Sequence, residues 1–428
     1  SEPNSVIEKT FSLKLVDEQW RIDLAEDGLL ISRSDLNRSF VSYPLWFADN
    51  SFTTLVPDSV LLPRIISGNA TRLMQLLLAG PSEKLANSVT SAIPIGTTLA
   101  INSVPIENGL ATISLSETVL EAEGFQREVL SAQIVKTLTA ITDIQEIKIN
   151  VNGQSLIVPG RNSKQILADW VNFEPDNSRI SNALAVAEGK VYEISTDEVK
   201  AFDYEPLNQK NWYLVNRNRA QNQYVAISSN RQNVVVINEL EGKYSSNTFT
   251  GNQLKSAKMD IFNTIWIVGA EQLFVIDKGK KLDVNIEGIS KADLVDVIPA
   301  PDGVRVLLIS KTELGTELLL GIINRELQSI GISNIQRISN DNFSVKSATW
   351  QDEKNIVYLD ASNENTNIYS LNTLNGAVKN ISTLSGASSV AISPYKTLLI
   401  GTEDGTLQQR LNGNWEILGN FINPTYPG

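Results

Sequence analysis

The feature that most constrains the fold is a loose repeat in the second half of the chain. Each unit has an apolar strand, a polar turn and a second, more hydrophobic strand, and several units add a third strand. The spacing of about 35 to 50 residues is typical of propeller blades. Clear units occur at 222–240, 256–277, 292–310, 344–371 and 388–411, and a weaker unit begins near Asn182. We therefore predict an all-β propeller of about six blades.

Continuous apolar runs mark the strands expected to be fully buried. Val234–Ile237 reads VVVI and Val306–Ile309 reads VLLI, and we assign both runs to inner strands that are covered on both faces. A pair of packed sheets is the competing architecture. The even repetition favours the propeller.

A compact α/β unit precedes the repeat, with the order helix, hairpin, helix, hairpin. Residues 69–81 predict an amphipathic helix with Asn69 as N-cap and an apolar face through Leu73, Leu76 and Leu77. Residues 121–141 predict a second helix of about five turns. Asn-Gly pairs at 108–109 and 152–153 predict type I′ hairpins. This order predicts a sheet with two helices packed on it.

These patterns divide the chain into a multidomain arrangement. We predict a remnant of an N-terminal domain at 1–42, the α/β domain at 43–160, a connector at 161–180 and the propeller at 181–428. The remnant contains a hairpin that turns at Asp17-Glu18 and places Trp20 and Ile22 on one face. Because apolar linkers bury, Trp170 and Phe173 predict a connector that joins the domains rigidly.

The composition removes several classes of function. The chain has no cysteine and no histidine, which excludes thiolate nucleophiles, Ser-His-Asp triads and HExxH metalloprotease sites. A net charge of −12 disfavours binding to nucleic acid, which is also negatively charged. No run of about twenty apolar residues is present for a membrane span.

Carboxylates are the remaining candidates for chemistry, at Asp302, Asp352-Glu353 and Glu403-Asp404. The Asp-Gly pairs at 302–303 and 404–405 are typical of hairpin turns in which Asp accepts from its own backbone, and we favour that interpretation. The loops at 362–367 and 412–415 lack the ligand spacing of a tight calcium site. No nucleotide-binding glycine loop is present. We assign no catalytic, cofactor-binding or metal residue, and we expect no cofactor.

Tryptophans in the propeller are candidates for lining a sugar or peptide groove. Large aromatic side chains also fill the gaps between blades, and we favour that structural role. We expect Trp350 to be the most exposed because it lies directly before a turn. The four residues concerned are Trp212, Trp266, Trp350 and Trp415.

Three stretches together resemble the LpqB lipoprotein family, which joins a GerMN-type domain to a C-terminal β-propeller. They are WRIDLAEDGLLISRSDLNRSF with YPLWFAD, LLLAGPSEKLANSVTSAIPIGTTL, and QREVLSAQIVKTLTAI with INVNGQSLIVPG, at 20–49, 76–99 and 126–160. The last two stretches resemble the GerMN domain itself. Their order and spacing make the resemblance specific.

The resemblance implies a non-enzymatic lipoprotein on the outer face of the cytoplasmic membrane of an actinobacterium-like cell. Membrane attachment would depend on an N-terminal lipid anchor that this chain lacks. Family members are encoded beside an MtrB-type sensor histidine kinase, and the implied partner is the extracellular part of that kinase. The implied role is modulation of envelope and division signalling, and the residues that bind the partner are not identified.

Two other functions stay open. The α/β domain or the propeller channel could bind a cell-wall fragment, which aromatic and amide side chains clustered on one rim would favour. A carboxylate-based glycoside hydrolase requires two carboxyl groups about 5 to 10 Å apart in a pocket.

Overall fold

A six-bladed β-propeller forms the second part of the chain, as the repeat predicts. The computed structural model describes residues 12–23, 33–64, 68–174, 182–208, 211–326, 329–339, 344–361, 365–393 and 395–427. Ahead of the propeller lies an α/β module, defined here as residues 40–173. Within the described ranges, no helix is long and apolar enough to cross a membrane.

The module begins after a hairpin and a short helix. The hairpin consists of β1 (Ser12–Val16) and β2 (Gln19–Asp23), and its turn at Asp17-Glu18 is confirmed, with φ of 51° and 62°. Trp20 is 69% exposed, and the side chain of Ile22 lies outside the described part of the chain. Helix α1 (Arg33–Ser39) leads into the first strand of the module.

The α/β character of the module is confirmed, and its strands form two sheets. The three-stranded sheet has the order β4-β3-β5, and the five-stranded sheet has the order β10-β8-β7-β6 with β9 paired to β8. The strands are β3 (Phe40–Asp49), β4 (Leu55–Pro63), β5 (Val89–Thr90), β6 (Ile106–Glu107), β7 (Leu110–Leu115), β8 (Glu146–Val151), β9 (Gln154–Ser155) and β10 (Lys164–Gln165). Short 3₁₀ helices span Glu117–Glu121 and Leu167–Phe173.

Two α helices of the module differ in detail from the prediction. Helix α2 (Asn69–Ala79) is capped one residue earlier than expected, because Gly68 in the left-handed region is its N-cap and Asn69 is already helical. Helix α3 (Gly124–Leu138) has about four turns. It contacts β3 of one sheet and β8 of the other, so it is buried on all sides from Val129 to Leu138.

Both Asn-Gly hairpins are confirmed. Asn108 and Asn152 have φ of 50° and 51°, and the glycine after each has φ of 83° and 76°. These turns join β6 to β7 and β8 to β9. The longest pairing of β7 is instead the parallel one with β8, which α3 connects.

Each blade has four antiparallel strands, and a parallel pairing between the outermost strands of blades 3 and 4 joins these two blades into one eight-stranded sheet. Blade 1 holds β11 (Ala183–Ala187), β12 (Lys190–Ile194) and β13 (Val199–Ala201), and α4 (Glu205–Asn208) leads to blade 2. Blade 2 holds β14 (Trp212–Arg217), β15 (Gln223–Ser228), β16 (Asn233–Leu240) and β17 (Lys243–Thr250). Blade 3 holds β18 (Ser256–Met259), β19 (Ile265–Gly269), β20 (Gln272–Asp277) and β21 (Lys280–Ile286).

The remaining blades follow in chain order. Blade 4 holds β22 (Leu294–Pro299), β23 (Arg305–Thr312), β24 (Gly315–Arg325) and β25 (Ile330–Arg337). Blade 5 holds β26 (Val345–Trp350), β27 (Asn355–Asp360), β28 (Thr366–Asn372) and β29 (Val378–Leu384). Blade 6 holds β30 (Ala387–Ile392), β31 (Leu398–Thr402), β32 (Thr406–Leu411) and β33 (Asn414–Asn420).

The last described strand closes the ring. Strand β34 (Ile422–Thr425) pairs with β11 and becomes the innermost strand of blade 1. It also contacts β14 of blade 2 and β30 of blade 6. The Thr425 hydroxyl donates to the Val215 carbonyl at 2.7 Å, which ties the closing strand to blade 2.

Apolar clusters fill each of the six gaps between neighbouring blades. The VVVI and VLLI runs lie in β16 and β23, which are the third and second strands from the axis. Neither run lies in the innermost strand of its blade, so our assignment of these runs to inner strands was wrong. The middle strands carry them because both of their faces pack against adjacent blades.

The connector packs on the module. Trp170 is fully buried and Phe173 is 5% exposed, and both belong to the core cluster of the module. The Phe173 ring stacks on Phe125, with centroids 5.9 Å apart. Residues 175–180 of the predicted connector lie outside the described ranges.

Candidate interaction sites where the module meets the propeller

The module lies against blades 3 to 5 on the face that carries the turns between the first and second strands of each blade. Val304 and Ile322 of blade 4 belong to the same apolar cluster as the core of the module. The Ser88 hydroxyl is 2.9 Å from the Ile323 carbonyl and 2.9 Å from Asn324 Oδ1. The interface thus has an apolar centre and a polar border.

Trp46 on β3 is the aromatic centre of this interface. Lys136 Nζ of the module lies 4.0 Å from its ring centroid, and Lys354 Nζ of blade 5 lies 5.3 Å from it. Burial lowers the pKa of Lys136, and the carboxylates of Glu353 and Glu174 partly offset that effect. Lys136 Nζ makes no hydrogen bond to another described residue. The ammonium group is therefore held mainly by charge and by the ring face.

Two clefts flank the interface. The wide cleft has a volume of about 640 Å³ and lies between the Asp49–Ser51 turn and Ser88 of the module and Phe262, Ile323 and Arg325 of the propeller. Both Asp49 oxygens accept hydrogen bonds within its own loop, so that carboxylate is engaged. The narrow cleft, of about 420 Å³, lies between the 57–59 and 82–85 segments and blades 4 and 5.

The carboxylates singled out in the sequence have structural partners. Asp302 is fully buried, accepts from the Val304 and Arg305 amides, and pairs with Arg305 Nε at 2.7 Å. Asp352 accepts from the Lys354 and Asn355 amides. These contacts confirm the turn interpretation of Asp302, and they show that Asp352 also organises a turn.

The last carboxylate candidates, Glu403 and Asp404, lie in the turn between β31 and β32. Hydrogen bonds from the Thr402 hydroxyl and the Thr406 amide lower the pKa of Asp404, and the one from Thr402 has the larger effect. The turn interpretation of Asp404 is confirmed. Glu403 Oε1 lies 3.3 Å from Lys346 Nζ on blade 5.

The two loops weighed as calcium sites and set aside lie at 362–367 and 412–415. Among the described residues, no group of three or more Asp and Glu side chains is placed to hold a metal ion. Asn412 and Gly413 form a hairpin turn with φ of 50° and 87°. Residues 362–364 of the other loop lie outside the described ranges.

The tryptophans of the propeller pack between blades, and the structural interpretation is confirmed. Each indole nitrogen donates a hydrogen bond. In the order Trp212, Trp266, Trp350 and Trp415, the acceptors are the Leu207 carbonyl, the Asp260 carboxylate, the Ile298 carbonyl and the Ser382 hydroxyl. The expectation that Trp350 is exposed was wrong, because it is 6% exposed and lies between blades 4 and 5. Its position before a turn did not reveal that the adjacent blade covers the ring.

An exposed apolar patch, which sequence reasoning did not single out, lies on the module. Leu120, Phe125 and Ile157 are 45%, 55% and 79% exposed. Arg127 connects their backbones, since its guanidinium donates to the Leu120 and Ile157 carbonyls at 3.3 Å each. Leu120 and Phe125 are close together in the sequence, and the fold brings Ile157 from a later segment to the same place.

Comparisons with known proteins agree with this architecture. Residues 44–157 match a family model described as "Germane: Sporulation and spore germination", and residues 206–427 match the "Lipoprotein LpqB beta-propeller domain". The crystal structure of TolB from Acinetobacter baumannii covers 67% of this chain and 84% of its own chain, with a TM-score of 0.46 and 11% identity.

Two relatives match this chain over nearly its whole length. Lipoprotein LpqB of Thermobifida fusca is 22% identical over all of this chain and 77% of its own length. Lipoprotein LpqB of Streptomyces avermitilis is 21% identical over 96% of this chain and 73% of its own length. Because the LpqB propeller model covers just over half of the chain, directly after a GerMN-type module, this chain belongs to the LpqB lipoprotein family.

Proposed function

We propose that this chain is the extracytoplasmic part of a lipid-anchored, non-enzymatic lipoprotein that binds the extracellular domain of an MtrB-type sensor histidine kinase. The observation that carries the proposal is the exposed apolar patch of Leu120, Phe125 and Ile157. Exposed apolar clusters of this kind typically mark protein–protein contacts. Family membership supports the lipid anchor and the envelope location.

The mechanism requires differential binding. A kinase sensor domain that exists in two conformations is shifted only by a ligand that prefers one of them. The module presents the patch from a fixed position, because its core includes Val304 and Ile322 of the propeller. Binding would therefore place the propeller in a defined orientation beside the kinase and tune envelope and division signalling.

Calorimetry with the isolated extracellular domain of the neighbouring kinase tests this proposal. We expect saturable binding, and we expect Ile157→Ser to weaken it by about tenfold or more through loss of a buried apolar anchor. Ile417→Ser is the matched control, because Ile417 is 69% exposed on blade 6, far from the patch in sequence and domain. Absence of heat, or equal loss in both variants, would overturn the proposal.

The wide cleft favours one alternative, the binding of a cell-wall fragment. Its volume of about 640 Å³ suits a small ligand. Asn50 and Thr264 lie beside Phe262 in its lining, which combines amide, hydroxyl and aromatic groups. Titration with purified muropeptides would support this alternative if they bind and Phe262→Ala removes binding without changing the affinity for the kinase domain.

A further inference from the structure

The outermost strand of each blade forms an exposed edge of its sheet, and in most blades this edge is blocked. Strand β13 has only three residues. Strands β21 and β25 pair with each other, so each covers the other. Strands β29 and β33 carry bulges at Ile381 and Leu418, where the pairing register shifts. Features of this kind keep an edge strand from pairing with another chain.

Strand β17 of blade 2 has an open edge. Its eight residues pair with β16 in an unbroken register from Lys243 to Thr250. Lys243 is its one charged residue, it contains no proline, and all of its residues except Phe249 are exposed. Among the described outermost strands, β17 is the one that is long and regular and has no block.

One hydrogen bond fixes which backbone groups of β17 face outward. The Gly251 amide donates to the Gln232 carbonyl at 2.9 Å, in the same register as the two strands. Hydrogen-bonded and non-hydrogen-bonded pairs alternate along an antiparallel ladder. The N–H and C=O groups of Tyr244, Ser246 and Thr248 therefore point away from β16, out of the sheet.

Blade 3 limits this edge at one end. Lys281 Nζ donates to the outward-facing carbonyl of Thr250 at 2.9 Å. The edge that remains open spans residues 243–249, and Ser246 lies at its centre. A segment whose outward groups are evenly spaced on both sides of its centre can pair with a copy of itself that runs in the opposite direction.

The pairing of two copies about Ser246 gives every outward group a partner. Ser246 then faces the same residue of the second copy, and Tyr244 faces Thr248. Lys243 faces Phe249, so an ammonium group meets an aromatic ring and no two like charges oppose each other. A foreign peptide gains little specificity here, because the small hydroxyl and amide side chains of the edge give it little to anchor a side chain. The edge is thus complementary to itself.

We propose that two copies of this chain pair through β17, antiparallel and about a two-fold axis at Ser246, which joins their second blades into one continuous sheet. This dimer goes beyond the proposed function, because it presents two apolar patches without any contribution from the kinase. A single strand edge buries little area, so we expect a weak dimer with a dissociation constant on the order of 10 to 100 µM.

Analytical ultracentrifugation of the whole chain, from about 1 to 300 µM, tests the proposal. We expect a reversible monomer–dimer equilibrium in this range. Ser246→Lys brings two ammonium groups together at the axis and should weaken the dimer about tenfold or more. Thr383→Lys is the matched control, because Thr383 is exposed on the bulged edge strand β29, and it should leave the equilibrium unchanged.

Oxidative cross-linking gives a second readout. The chain has no cysteine, so Ser246→Cys introduces a single thiol. Residues that face each other in a hydrogen-bonded pair lie about 5.5 Å apart at Cα, within reach of a disulfide. We expect Ser246→Cys to form a cross-linked dimer and Thr383→Cys to remain monomeric. A chain that stays monomeric at the highest concentration, a dimer that Ser246→Lys leaves intact, or equal cross-linking of both cysteine variants would overturn the proposal.

Discussion

The contacts between blades and the contacts between the module and the propeller differ in chemistry. Blade meets blade through continuous apolar clusters, such as the one around Trp266 and Val306. Module meets propeller through a small apolar centre with hydroxyl, amide and ammonium groups around it, including Ser88 and Lys136. The ring is therefore fixed by burial, whereas the position of the module depends on polar contacts that each contribute little.

The largest expected effect comes from breaking a contact between blades. Trp266 is fully buried, and its indole donates to Asp260. We expect Trp266→Ala to lower the free energy of unfolding by about 3 to 5 kcal/mol, measured by chemical denaturation. Trp415→Ala is the control, since Trp415 is only half-buried at the edge of a cluster, and it should cost clearly less. Equal losses in the two variants would show that burial between blades is not the main source of the stability of the ring.

The next effect in size is expected where the module meets the propeller, and it is an increase in the free energy of unfolding. Lys136→Met replaces a buried ammonium group by an apolar side chain of similar length beside Trp46. We expect the protein to be stabilised by about 1 to 2 kcal/mol at neutral pH. Glu353 keeps Lys354 beside it and Glu174 stays partly solvated, so neither carboxylate becomes a buried uncompensated charge. A destabilised variant would show instead that contact with the Trp46 ring outweighs desolvation.

The same residue predicts a pH dependence. Because the pKa of Lys136 in the folded protein lies below its ordinary value of 10.5, the unfolded chain binds more protons between those two values. The contribution of this group to the free energy of unfolding therefore rises with pH across that interval. Denaturation curves measured at alkaline pH should show that Lys136→Met flattens this rise in the free energy of unfolding. The control variant Lys379→Met, at an exposed lysine, should leave the pH profile unchanged.

The smallest effect is expected at a single polar contact. Ser88→Ala removes the hydroxyl that binds the Ile323 carbonyl and Asn324. We expect a loss of about 1 kcal/mol, together with faster hydrogen exchange at the end of β24. The exposed Ser103 gives the control variant, and its alanine should change neither quantity. A loss as large as that of Trp266→Ala would remove the distinction between the two interfaces.

Much of the propeller could be predicted because the strand pattern and the turn residues of each blade are local features of the sequence. The Asn-Gly turns at 108–109 and 152–153 were equally local features. The burial of Trp350 was not local, because a neighbouring blade that lies elsewhere in the chain covers it. The domain limits at 42, 160 and 180 stay predictions.

The candidate sites were harder to predict than the fold. The Ile157 carbonyl accepts from Arg127, which lies 30 positions earlier in the chain, and the sequence does not show that this contact places Ile157 at an exposed patch. Likewise, Ser88 and Ile323 are 235 positions apart, and no short pattern announces their hydrogen bond.

The pairing of β34 with β11 has a consequence for biosynthesis. A polypeptide that emerges from a ribosome or a secretion channel presents Ala183–Ala187 long before Ile422–Thr425. Until the late strand arrives, the early blade has an open hydrogen-bonding edge that can recruit foreign strands. The lifetime of that edge, set by the speed of translation or export, determines how much chain reaches the finished ring and how much aggregates.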